Sequence, residues 1–565
     1  MAKYEELVMS DVHSITGTNK KDIISFKPKG KYVSVQAMGG NDVIEVKKGK
    51  KFASMSVIGN KGNDKITVQK GVGNSIQIYG DFFDNKKMII DDNGNDTITV
   101  NGGSTHFIWA GGGNDTVTLN KGAGNSITVY GDTPNENMEA YKLAGYKVKT
   151  KAGKDVVTVN GGSKHSIFAG GNKDTVTINA GSKHYIDAGA GNDTIELKKK
   201  AGKSISVNGD AGNDTITVNK GSSASVFGGK GTDTVIVNAG NKHTIYGGAG
   251  KDSIVVNAGA GHIVYGDDYN MTGSNDTVTL NKGVGNSVEI HGGTGKDTIT
   301  VNAGAGHTIY GGVENDTIKV NKGTGDSLII WGDGYDENPY YGTGNDTITV
   351  NSGNKHTIYG GLGKDTITIN TGDGHTIYGG LGKDTITADD GTNTVNINGG
   401  NGHKIYAGDE AIDTINIKKG NNHTVYTGNN SMNTISFNGG SGHTVKLDSG
   451  FNMVNVSAKH VTIEETSGSA TEGILVNWSN NIGVLRINTM KDSEDNTMDT
   501  LTIKGIKSAA FTFSKNAASD TLVLSSGNSR IEIKGWSENQ AFSSNGILFD
   551  DKRLTFEDVS KKAGF

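Results

Sequence analysis

Apolar residues along most of this chain recur at every second position, in runs only four or five residues long. Residues 342–387 show the unit: GTGNDTITVNSGNKHTIYGGLGKDTITINTGDGHTIYGGLGKDTIT. In DTITVN, Ile and Val alternate with Thr, and in HTIY a lone Ile stands between Thr and Tyr. A period of two predicts strands with small β-branched residues on one face and Thr or Tyr on the other. Asp346, Asp365 and Asp384 fall nineteen residues apart within Gly-rich runs, and His356 and His375 stand about halfway between them. One unit is therefore turn, strand, turn, strand. A repeat of about 20 residues cannot bury its own hydrophobic face, so neighbours must stack on it. The expected fold class is all-β, a parallel β-solenoid.

Composition changes this picture by asking what holds so thin a core together. The chain has 86 glycines, each costing ~0.5–1 kcal/mol relative to Ala in a regular element. Net stabilities are only ~5–15 kcal/mol, so a stabilising partner is expected. The turns supply it. The run Gly-Gly-Leu-Gly-Lys before Asp365 aims carbonyl oxygens inward, and the Asp adds a carboxylate. Stacked coils would bring carboxylates to ~5 Å, where like charges repel unless a cation lies between them. A cage of carboxylates and carbonyls suits Ca²⁺ before Mg²⁺ or Zn²⁺. The ligand candidates are Asp64, Asp96, Asp115, Asp155, Asp174, Asp193, Asp214, Asp233, Asp252, Asp276, Asp297, Asp316, Asp346, Asp365 and Asp384.

The words G-G-x-G-[NK]-D-x-[IV]-x resemble the calcium-binding nonapeptide of the RTX (haemolysin-type) family. The resemblance covers most of residues 17–413 and implies a β-roll with calcium held in the turns between adjacent coils. Only alternate turns carry the Asp; the others read Gly304-Ala305-Gly306-His307 or Gly124-Asn125-Ser126. The resemblance therefore implies one row of Ca²⁺ along one edge. It is similar to the RTX subtype with nineteen-residue coils, some members of which are calcium-dependent adhesins that bind ice. In those the recognition pair lies in the turn, and here only Thr343 and Asn345 reproduce it. That argues against ice binding.

Along the chain, residues 1–21 read as a lead-in and 22–449 as the calcium-binding solenoid, with ragged first coils at Asp22 and Asp42. Longer steps mark insertions near 81–92, 132–150, 266–272 and 332–341, each after an aromatic-Gly-Asp word. Beyond Asp384 the pattern decays: Asp413 sits in an altered turn and Asn433 stands where the next Asp is expected. Residues 450–565 keep strand alternation without Gly-Asp turns, which predicts a calcium-free continuation and cap. Within it, Ile531, Ile533 and Trp536, then Ile547, Phe549, Asp550 and Asp551, are similar to the segment after the repeats in many RTX proteins. That resemblance implies a C-terminal signal for a type I secretion apparatus.

Two further ladders are legible. Ten histidines, from His165 and His184 through His307, His356 and His375 to His403, His423 and His443, share one half-repeat position. Ser75, Ser126, Ser204 and Ser327 are expected to interrupt that row, which favours a side chain bonding the turn over a transition-metal ladder. Tyr246, Tyr265, Tyr310, Tyr359, Tyr378, Tyr406 and Tyr426 are expected as one outer row beside the Asp turns, stabilising the sheet by stacking. They could also bind glycans.

Other features exclude or assign little. There is no Cys, which fits an exported protein without disulfides. A formal charge of −5 predicts no nucleic-acid partner, and no apolar run is long enough to span a membrane. No G-x-S-x-G or H-E-x-x-H word occurs, so no enzyme is expected. The expected protein is secreted to the cell surface, folds on extracellular calcium and assembles with itself, head to tail or laterally, into a filament or surface layer. A calcium-dependent adhesin for glycans is the alternative, and a polysaccharide-acting enzyme on a β-helix the third.

Overall fold

The computed structural model describes residues 3–7, 12–29, 31–49, 52–81, 89–90, 94–132, 147–148, 152–268, 274–334, 342–389, 391–467, 470–479, 482–488, 500–536 and 546–565. The chain forms two compact units, Met1–Glu289 and Ile290–Phe565. Both are parallel β-solenoid, with about 21 turns between them.

In the first unit, the strands that follow each Asp stack into one parallel sheet. Ile98 pairs with Ile66 on one side and Val117 on the other, and Thr99 with Thr67 and Thr118. The strands of the opposite half-coil form a second parallel sheet, in which Ile108 lies between Ile78 and Val129. Alternation settles which face is inside: Ile98, Val100, Val117 and Leu119 are buried while the intervening Thr side chains are half-exposed. Strands Lys3–Leu7 and Val12–Thr16 already pair in the two sheets, ahead of Asp22. The bodies of the inserted segments lie outside the described residues, apart from Ile89–Ile90 and Lys147–Val148, which pair with each other in parallel.

The outer face carries an amide ladder that alternation alone does not suggest. Asn120 donates to Asn101 at 2.7 Å, Asn160 to Asn120 at 3.0 Å and Asn179 to Asn160 at 2.8 Å. Identical side chains stacked in register satisfy one another's amides, as in cross-β stacks.

The second unit repeats this plan and then changes it. Thr347, Thr366 and Thr385 stand in register, as do Ile348, Ile367 and Ile386. Toward its C-terminus the sheets stop being parallel. Strand Ser529–Lys534 pairs in parallel with Val484–Asn488 but antiparallel with Thr521–Ser526, which pairs antiparallel with Thr512–Asn516. In the other sheet, Ile547–Phe549 turns back on Arg553–Leu554. Helix Phe556–Ala563, begun by a Thr555–Asp558 capping box, buries Val559. Its Ser560 accepts from the Trp536 indole at 2.9 Å, and Phe556 stacks on Trp536 with centroids 4.7 Å apart. Antiparallel pairs plus a helix are an effective way to blunt sheet edges.

Candidate metal centre

Each Asp of the repeat meets the coil before it through the main chain. Its Oδ1 accepts the backbone N–H of the preceding Asp: Asp64 from Asp42, Asp96 from Asp64, Asp115 from Asp96 and Asp155 from Asp115, all at 2.7 Å. The row continues without a break through Asp174, Asp193, Asp214, Asp233, Asp252 and Asp276. In the second unit it runs from Asp297 through Asp316, Asp346 and Asp365 to Asp384. It passes the insertions intact: Asp115 and Asp155 are 40 residues apart in sequence yet bonded.

The second oxygen of these carboxylates is a different matter. Oδ2 of Asp115, Asp155, Asp174, Asp193, Asp214, Asp233, Asp252, Asp316, Asp346 and Asp365 is buried without a hydrogen-bond partner. Burial, and then mutual repulsion, pushes these acids up: Asp115 to about 10, Asp174 and Asp316 to about 9, Asp252 and Asp346 to about 8. A buried charge of this kind needs a proton or a cation. Among the described residues no three His, Asp or Glu side chains converge closely enough to hold a metal by themselves, so a cation would also draw on main-chain oxygen. That oxygen is present. A Cβ placed on Gly209 would collide with both the Gly228 carbonyl oxygen and Asp214 Oδ2. The same pairing of carbonyl and carboxylate faces Gly311, Gly332 and Gly360. The donor set, all oxygen and one carboxylate per coil, fits Ca²⁺.

Two sets of residues at these turns carry roles that sequence reasoning missed. The Asn before the Asp caps in the other direction: Asn114 Oδ1 accepts from Lys154 N–H and Asn345 Oδ1 from Lys364 N–H, both at 2.7 Å. The aromatic-Gly-Asp words add a second buried carboxylate where other coils have a second Gly. Asp132 accepts from Gly153 and Gly171 at 2.9 and 2.8 Å, and Asp333 from Leu362 at 2.5 Å. Their charge helps raise Asp155 and Asp346. The signal was the replacement of Tyr-Gly-Gly by Tyr-Gly-Asp or Trp-Gly-Asp just before an insertion.

The histidine row does the same work as the Asp row, with different atoms. His356 Nδ1 accepts the Leu328 N–H at 3.0 Å, and its Nε2 bonds the Ser352 carbonyl at 3.0 Å. His165 makes the same two contacts, with Ile127 and Gly161. At His165 and His356 both ring nitrogens are thus committed to main chain; burial lowers the pKa along the row, to about 4 at His375, where the neighbouring His356 adds to it. The expectation that Ser interrupts this row is corrected. Ser75, Ser126, Ser204 and Ser327 lie one residue earlier, in left-handed backbone with φ of 55–62°, where other coils place Lys164 or Lys355. The slot itself holds buried Ile76, Ile127, Ile205 and Leu328.

A second correction concerns the region beyond Asp384. The Asp384 N–H meets His403 Nδ1 at 3.0 Å, and His423 and His443 follow on that same edge. On the opposite edge, Asn393 N–H meets Asp413 Oδ1 at 2.8 Å, then Asp413 meets Asn433 and Asn433 meets Asn452. The motifs have changed edges, because residues 385–393 interpose an extra half-coil. Asp413 and Asn433 thus continue the edge of His356 and His375, not a decayed Asp row. The tyrosines divide accordingly: Tyr378 pairs with Asn396, while Tyr406 pairs with Thr387 on the other sheet.

The family model described as the RTX calcium-binding nonapeptide repeat (4 copies) matches residues 107–124, 185–197, 206–223, 244–263, 289–307 and 370–403. No curated protein matches the chain.

Three outcomes follow from these contacts. Asp365→Asn keeps an acceptor for the Asp346 N–H, as Asn433 does for Asp413, but removes the charge. It should lower the calcium count in a titration while leaving the calcium-free coil at least as stable as the parent; Asp365→Ala should lose both. His356→Leu should retain more stability than His356→Ser in thermal melts, by ~1–3 kcal/mol, since Ser leaves a buried polar group and a void. The third concerns pH. Folded acids raised from 3.8 to about 7–9 bind protons that the unfolded chain releases. Above about pH 6.5, where the histidines are neutral folded or unfolded, calcium-free stability should therefore fall as pH rises toward 9; below it the lowered histidines act in the opposite sense. Denaturant midpoints across that range check the sign, with calcium flattening the dependence above neutrality.

Proposed function

We propose that this chain, an RTX calcium-binding repeat protein, is an extracellular structural solenoid of the cell surface that folds when it meets calcium outside the cell. The observation that supports this most is the buried row of carboxylates whose second oxygen has no partner. Asp115, Asp155, Asp174, Asp193, Asp214, Asp233, Asp252, Asp316, Asp346 and Asp365, with the Gly carbonyls facing them, would hold the ions. Extracellular Ca²⁺ sites commonly bind at ~10⁻⁴–10⁻³ M, well above cytosolic calcium, so the chain stays open until export. Each site held at about a hundredfold its dissociation constant adds ~2.7 kcal/mol.

No catalytic role is proposed, since one oxygen of each repeat aspartate serves the main chain. No helix among the described residues is long and apolar enough to cross a membrane, which agrees with a secreted protein. The segment 531–559 is proposed as the part read by a type I export apparatus. Self-assembly is proposed to be lateral, through the outward Thr and Asn ladders, because the C-terminal sheet edges are already paired.

Circular dichroism with calcium and with excess chelator tests the core of this reading. The sheet signal should appear with calcium and collapse on chelation at pH 8. An unchanged sheet signal in chelator overturns it.

A further inference from the structure

Half of one outer face in the second unit is built differently from the rest. Trp331, Tyr359 and Tyr378 stand in register on three successive coils, with ring centroids 3.7 and 4.8 Å apart and planes within 7°. Three residues further along the same strands, Leu362 and Leu381 form a second wall, also in register. Between the walls run Gly361 and Gly380, which have no side chains. The result is a trough of about 470 Å³, aromatic on one side, aliphatic on the other and floored by glycine. That volume is within the range of small-ligand sites.

The interposed half-coil closes one end. Where the next tyrosine would stand, Tyr378 meets Asn396, and Asn398 lies exposed beside it. Asn396 is buried and its Oδ1 accepts from Asn416 at 3.2 Å, which holds its amide in place. Among the described residues no charged side chain lines the trough.

A ladder of stacked rings needs no ligand, but the aliphatic wall is not explained that way. Leu381 is 48% exposed, and the corresponding position elsewhere holds Ala190, Ala211, Lys230, Ala249, Thr294 or the shorter Val313. The corresponding surface of the first unit, along Phe227 and Tyr246, is edged by Asp210 and Lys230. The uncharged trough is thus particular to these coils.

We propose that this trough binds the neutral sugar rings of a glycan chain. A pyranose has an apolar C–H face and a rim of hydroxyls. The aromatic wall takes the face, as flat rings do for apolar ligands, and the Asn amides offer both donors and acceptors to the hydroxyls. An acidic sugar or a basic peptide would find no counter-charge among the described residues of the lining. The proposal goes beyond the structural role above and needs only that these coils be folded.

Trp331 makes the test direct, as one of four tryptophans in the chain and a wall of the trough. The calcium-loaded full chain is titrated with maltotetraose, cellotetraose and mannotetraose, and with a tetragalacturonate, following tryptophan fluorescence and calorimetric heat. At least one neutral sugar should bind saturably, and Tyr378→Ala and Leu381→Asp should each weaken it tenfold or more. Leu381→Asp lies outside the ring ladder, so its calcium-dependent sheet signal should match the parent. Absence of saturable binding by all three neutral sugars, equal binding in Leu381→Asp, or equal binding of the tetragalacturonate overturns the proposal. Loss of the sheet response to calcium would instead count against the structural reading.

Discussion

Each coil presents a main-chain N–H at its turns that it cannot satisfy from within, and the structure depends on how the next coil meets that demand. A buried N–H left alone costs on the order of 1–3 kcal/mol. Stacked over many coils, that penalty would exceed the stability of an ordinary domain. On one edge the answer is a carboxylate oxygen, as between Asp346 and Asp365 at 2.9 Å. On the other it is an imidazole nitrogen wherever the later coil has His in the slot, as between Leu328 and His356 at 3.0 Å. The two solutions differ in what they leave behind. At His356, as at His165, His403, His423 and His443, the second nitrogen reaches the carbonyl four residues back, and the ring carries no charge. The carboxylate has a second oxygen and a charge, and those are what create a demand for calcium. The proposed calcium requirement would thus be a by-product of choosing Asp over His as the cap.

This explains why the metal-bearing edge can stop. At Asp384 the caps change from carboxylate to imidazole, with the Asp384 Oδ2 and His403 Nδ1 2.9 Å apart. Beyond it, the opposite edge is capped by Asp413 and then by Asn433 and Asn452, which supply an oxygen without a charge. The strands and the core continue through the change, Ile386 and Ile405 pairing as Ile367 and Ile386 do. Core and cap are therefore separable in this fold.

That separability also decides what the sequence reveals. The strands of DTITV and HTIY, their inward residues and the Asp series could be read directly, because period two and period nineteen are set by side-chain burial alone. The histidine slot was misread by one residue in coils such as Gly124-Asn125-Ser126. There the polar Ser takes the left-handed turn position while Ile127 fills the core, and an apolar residue gives no sign that it stands in for a histidine. The edge exchange was read as decay. The step from Asp384 to Asp413 is 29 residues, which is one and a half coils, and a half-integral step carries the motif across to the other edge. The pairing of Asp132 and Asp333 with turn N–H groups could not be read at all, since their partners lie 20 to 40 residues away.

The caps also have a direction. The repeat Asp belongs to the later coil and receives the N–H of the earlier one, whereas the exposed Asn, and the Asp of each aromatic-Gly-Asp word, belong to the earlier coil and receive from the later. A completed stack thus offers different surfaces to chain arriving from its two sides. Toward the N-terminus each repeat Asp holds out a buried acceptor; toward the C-terminus the acceptor is an exposed Asn amide, joined by a buried carboxylate where an aromatic-Gly-Asp word stands. In coils without such a word, the acceptors that are shielded from water before a neighbour arrives all face the preceding coil, so a later coil is shaped as a mould for the one before it.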